Sequence, residues 1–202
     1  YYDMLLDYDE ALLDGLYAGQ DETAETLIDE MLAVADLSIA HMHRSEHRDA
    51  KRLLAKYYLD KAALLIRSRP DHVYEIQELI LNAQKVIEIY HLDTPALRAM
   101  SCMICAWYYT LCEENAAEVI SCLDEASQIN KRRNMSDLDK IDDFYIPAAN
   151  MMCELECNKR ADELLSQALR LCDAHEEEMP YMRKKADLLR YKKEIKDYEE
   201  TV

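Results

Sequence analysis

ADELLSQAL, residues 161–169, is the stretch on which the fold turns. On a helix, Ala161, Leu165 and Ala168 share one face, a small–large–small stripe that admits another helix at close range. The stripe recurs upstream. Ala40, Ala83, Ala126 and Ala168 are spaced by 43, 43 and 42 residues. Three places before each stands Leu37, Ile80, Leu123 or Leu165, and seven before stands Ala33, Ile76, Val119 or Ala161. Four matches in step predict a repeat of two helices, stacked on its neighbours because no single hairpin buries both its faces.

The rest of the chain agrees. Its 202 residues include only 2 Gly and 4 Pro, too few turn residues for many short strands, so the predicted class is all-α. Periodicity and punctuation predict about nine helices, over 1–18, 21–43, 46–68, 71–90, 95–112, 115–132, 137–157, 159–175 and 179–199. Thr94 before Pro95, Ser136, Asn115 and Asn158 read as N-caps, and Pro180 marks another start. Short connections fold neighbours back as antiparallel hairpins. Pro147 must kink the seventh helix or begin a second segment of it. The predicted domain is a single solenoid over 1–202, with repeats at 1–44, 45–93, 94–135 and 136–177 and a cap over 178–202. The last helix, YMRKKADLLRYKKEIKDYEE, carries charge on most faces, as a solvated cap or connector does.

Net charge is −17, which repels nucleic-acid phosphates and anionic lipid, so neither is an expected partner. Seven cysteines inside helical patterns fit reduced thiols in a cytoplasmic protein better than a disulfide framework. Four of them crowd into CMICAWYYTLCEENAAEVISC, residues 102–122. Its C-x-x-C lies well inside a helix, without the helix N-terminus that activates a thiol or the turn that a zinc knuckle uses. Leu97, Met100, Ile104, Trp107, Tyr108 and Leu111 form one packing stripe, and Cys102, Cys105, Tyr109 and Cys112 a second. His41 and His43, two apart, point to opposite sides of a helix and do not converge on a metal with His47. No phosphate loop or nucleophile motif is present, so the reading is a non-enzyme without cofactor or metal.

The Ala–Leu–Ala second helices, clearest at Ala161, Leu165 and Ala168 and looser at Val119, Leu123 and Ala126, resemble the tetratricopeptide (TPR) family. The closer resemblance is to the long-repeat TPR-like proteins of bacterial signal-transduction and transcriptional regulators, including the maltose-activator type. Two departures stand out: Trp107 falls where the first helix should carry a small residue, and the period exceeds the family's 34. The resemblance implies a right-handed α-α superhelix of four hairpins plus a cap, whose first helices line a concave working face. On that face it places Tyr58, Lys61 and Leu65, then Ser101, Ile104, Tyr108 and Leu111, then Ile146, Asn150 and Cys153. Tyrosine and asparagine there suit peptide capture; the same tyrosines also suit the seams between repeats.

The expected function is a non-catalytic, protein- or peptide-binding regulatory module. The first residue is not Met, and with the resemblance this suggests part of a larger bacterial signalling protein with an output domain on the same chain. Two alternatives stand beside it: a sugar or metabolite sensor, which the resemblance also implies, and an oligomerisation scaffold.

Overall fold

A computed structural model describes residues 21–92, 94–112, 116–133, 135–175 and 177–199, with side chains described from 25 to 195. Those residues are helical, with no strand among them. The helices are α1 (Asp21–His43), α2 (Arg48–Ser68), α3 (Val73–Ile89), α4 (Pro95–Leu111) and α5 (Ala116–Arg132). There follow α6 (Asp137–Lys140), a π-helical turn (Ile141–Tyr145), α7 (Ile146–Glu154), α8 (Asn158–Asp173) and α9 (Met179–Glu199). These bounds follow the predicted spans to within a few residues. The helix expected over 1–18 and the cap at Asn115 lie outside the described residues.

Thr94 and Ser136 cap as expected, accepting from the backbone N–H of Leu97 at 3.4 Å and of Asp139 at 3.1 Å. Asn158 does not cap; it is the first residue of α8, preceded by Cys157 without a side-chain cap bond. The preceding helix closes tightly enough to fix that junction. Glu156 adopts φ 57°, its N–H reaches the Cys153 carbonyl at 3.0 Å, and the Cys157 N–H reaches that of Met152 at 2.7 Å. This is a Schellman closure. His91, at φ 50°, closes α3 in the same way, with the Leu92 N–H on the Ile87 carbonyl at 2.9 Å and Leu92 itself buried.

Pro147 begins a second segment, as the second residue of α7. Its ring cannot sit beneath a carbonyl four residues back, and it offers no N–H. The π turn accommodates both by widening the backbone one turn earlier, the Ile146 N–H bonding the Ile141 carbonyl five residues behind. Ile141 and Phe144, within the turn, still face the core.

The chain divides into two compact units, residues 1–93 and 94–202, at the junction expected between the second and third repeats. In the first, α2 packs against both α1 and α3. Leu54, Leu59, Leu65 and Ile76 are fully buried there, each contributing about 1.5–3 kcal/mol of transfer free energy. In the second, α4 packs on α5, α7 on α8, and α8 on α9, around a core containing Val119, Ile141, Met152, Leu165 and Leu188.

The repeat holds in three hairpins and fails in one. Ile76, Ile80 and Ala83 of α3, Val119, Leu123 and Ala126 of α5, and Ala161, Leu165 and Ala168 of α8 are all buried. In α1 the corresponding Ala33, Leu37 and Ala40 are exposed, Leu37 by 70 %. Helix α1 carries a second stripe of the same spacing, Met31, Ala35 and Ser38, and buries that one. Its pairing with α2 favours this choice: Asp36 bonds Lys61 at 2.8 Å and Asp29 bonds Arg69, which holds Leu37 outward.

The first helices repeat as well. Ala62 of α2, Ala106 of α4 and Ala148 of α7, spaced by 44 and 42 residues, are each 0 % exposed. Alanines thus take the closest approach, with the cysteines of α4 half-buried beside them. Helix α9 is not charged all round: Tyr181 and Leu188 are buried, and Tyr191 and Ile195 pack on the core of the second unit. Among the described residues no helix is long and apolar enough to cross a membrane.

Candidate functional site

A groove of about 230 Å³ opens in the second unit between α5 and α8. Its floor is apolar: Leu123 from the α5 stripe, Phe144 of the π turn, Met152 of α7 and Leu164 of α8, with Ile120 at one side. Phe144 reaches that floor from the π turn that precedes Pro147. The rim is polar. From α5 come Asp124, Ser127, Gln128 and Lys131, one position round from the buried stripe; from α8 come Arg160 and Gln167.

Across the rim Arg160 joins Asp124 at 2.9 Å and, on its own helix, Glu163 at 3.2 Å. Both sides of these pairs are well exposed, so they add about 0–1 kcal/mol and serve mainly to fix where charge sits. The groove therefore offers an apolar floor, amides able to meet backbone N–H and C=O groups, and charges of both signs along one edge.

Most residues expected on one exposed face are buried or half-buried within their own units. Tyr58 and Leu65 are buried in the core of the first unit. The Tyr58 hydroxyl meets the His43 ring Nε2, and burial, with Glu78 nearby, raises its pKa. Lys61 is 8 % exposed and clamps Asp36 at 2.8 Å and Glu75 at 2.9 Å. Burial pulls its ammonium down, but hydrogen bonds to the two carboxylates outweigh this and leave its pKa raised. Correspondingly Glu75 is lowered, chiefly by Lys61. These three residues build the unit, because α2 lies between α1 and α3 among the described residues and turns most of its faces inward.

In the second unit Ile104 is buried, while Ser101, Tyr108, Leu111 and Ile146 are half-buried. Tyr108 leans on Tyr109, ring centroids 5.7 Å apart. Asn150 is exposed, its Oδ1 accepting from the Tyr191 hydroxyl of α9, which also reaches the half-buried Cys153 at 3.7 Å. Helix α9 thus lies over this end of α7.

Four of the seven cysteines have thiols pushed above their ordinary range. Burial, then the Glu125 carboxylate and the neighbouring Cys122 and Cys105, push the Cys102 thiol up to about 12. Burial also raises Cys122, Cys153 and Cys172. Such thiols stay protonated and act as small packing groups.

None of the groove-rim residues was among the sequence candidates. Their signal lay in the repeat itself, since Asp124 and Ser127 follow, and Arg160 and Gln167 precede, stripe residues by one place. Compared with protein-family models, curated proteins and solved structures, the chain matches none.

Proposed function

We propose that the chain is a TPR-like, non-catalytic binding module that recognises a protein or peptide segment, and that the α5–α8 groove is its recognition surface. The observation that carries this reading is the groove's construction from the facing flanks of two successive second helices: an apolar floor under an amide- and charge-bearing rim. The buried Ala62, Ala106 and Ala148 support the family reading. Ala106, not Trp107, takes the place of the small residue in the first helix. In this reading the groove lies along second helices, a different face from the expected concave one. The module would serve regulation within a larger bacterial signalling protein, as the resemblance implies.

Size favours peptide over metabolite. At about 230 Å³ the groove is smaller than the roughly 300–1,000 Å³ typical of small-molecule sites. A display library of random peptides selected against the chain should yield sequences with apolar anchors. Gln167→Trp, which fills the groove from its rim, should weaken them by about tenfold or more, while Asn150→Ala should leave them unchanged. Peptides indifferent to Gln167→Trp would refute the groove. A library yielding none, alongside a metabolite that raises the melting temperature, would favour a sensor.

A further inference from the structure

Helix α9 has a face the fold does not use. Tyr181, Leu188, Tyr191 and Ile195 turn towards the core of the second unit. Met179, Met182, Ala186 and Leu189 share another face and are exposed, the three large ones by 57, 50 and 51 %. Their spacing of three, four and three residues is that of the a and d positions of a coiled coil. An exposed apolar row of this kind, rimmed by charge, marks a surface for a partner.

The rim says which partner. Within the row the flanking positions are Arg183 and Arg190 on one side and Lys185 and Lys192 on the other, all basic, while Glu178 just before it is held by His175. Lys185 bonds Asp173 and Lys192 bonds Asp162, so that side is already neutralised. Arg183 and Arg190 face solvent, Arg190 touching Asp187 at 3.5 Å in a pair exposed enough to count for little. Residues 179–199 hold seven Lys and Arg against four Asp and Glu, in a chain whose net charge is −17.

We propose that this face docks an amphipathic helix of another protein, with apolar residues at its own a and d positions and acidic residues beside them. Charge argues against a second copy of this chain. Paired in parallel, Lys185 would oppose Arg190 at the middle of the seam; paired antiparallel, Lys185 would meet Lys192 and Arg183 would meet Arg190. An anionic membrane is disfavoured by the field of the whole chain and by a row of four residues without an aromatic one. The surface is separate from the α5–α8 groove and stands whether or not that groove binds peptide.

The test uses the whole chain and a labelled three-heptad peptide with Leu at a and d and Glu at e and g, beside a twin with Lys at e and g. Fluorescence anisotropy should give the Glu peptide a Kd on the order of 1–100 μM, as befits a short seam, and the Lys twin at least about tenfold weaker binding. Met182→Glu with Leu189→Glu should weaken the Glu peptide by about tenfold or more without shifting the melting temperature, because both side chains stand at the surface. Arg183→Glu with Arg190→Glu should reverse the preference between the twins. Equal binding of the two peptides, or none by either, overturns the proposal. So does a dimer in analytical ultracentrifugation that Met182→Glu with Leu189→Glu dissolves, which would assign the face to a second copy. Sedimentation with vesicles about one-third phosphatidylserine, lost in that variant, would assign it to a membrane and overturn the proposal equally.

Discussion

His91 and Glu156 hold the left-handed conformation that helix closures usually give to glycine, in a chain whose two glycines are Gly15 and Gly19. Each costs about 1 kcal/mol in crowding between Cβ and the following carbonyl. Glu156→Gly should therefore raise stability by about 0.5 kcal/mol once the added freedom of the unfolded chain is subtracted, and a β-branched residue there should lower it; urea titration measures both. Sequence reading could not place these closures, because its cue is the glycine and none is there. Lys61 was misplaced for a related reason. Its place in the repeat suggested a working face, yet its stem is buried and its ammonium holds Asp36 and Glu75. Lys61→Ala should cost about 1–2 kcal/mol, below the value for a fully buried pair because both carboxylates are exposed. Lys61→Met should recover part of that by keeping the stem. If Lys61→Met is as damaging as Lys61→Ala in a thermal melt, the ion pairs and not the packing carry the effect.

At the scale of elements, the join between α8 and α9 is clasped by His175. Its Nδ1 lies 2.8 Å from Glu178 and its Nε2 3.2 Å from Asp137, and its ring stacks on Tyr181 at 4.4 Å. The Tyr181 hydroxyl in turn accepts from the Leu138 N–H at 3.2 Å. Hydrogen bonds to Glu178 and then Asp137 raise the imidazole above its ordinary range, while Lys140 and then His175 lower the Asp137 carboxyl. The histidine's contribution is complete below about pH 6.5, the ordinary imidazole value, and fades as pH rises through the raised one. The aspartate's contribution is complete above about pH 4 and fades as pH falls through its lowered value. The clasp is thus strongest between those limits. His175→Gln should reduce the loss of melting temperature on going from about pH 6 to 9; an unchanged pH profile would show that the clasp does not titrate as described. Helix boundaries were largely legible in the sequence because caps and prolines act locally. The register of α1 was not, because two stripes of equal spacing compete and only contact with α2 separates them.

At the scale of the whole molecule, the all-helical class was readable from the scarcity of Gly and Pro, and the stripe in three second helices from alanine spacing, whereas the groove was not. A groove needs residues adjacent to the stripes on two helices, and such positions look like ordinary solvated surface until the helices are juxtaposed. The division at residues 93 and 94 yields a further expectation. The fragment 94–202 has its own continuous core, from Ala106 to Leu188, and should give a cooperative thermal transition and a helical circular dichroism spectrum when expressed alone. A non-cooperative, largely unfolded fragment would contradict that.

The same division partitions the chain's natural reporters. Trp107 and all seven cysteines, from Cys102 to Cys172, belong to the second unit. Tryptophan emission and thiol alkylation will therefore follow the opening of that unit alone, with fully buried Cys172 as its innermost gauge. Far-ultraviolet dichroism sums both units. Recording emission and dichroism on one unmodified sample will show, by the coincidence or separation of the two curves, whether the halves unfold together.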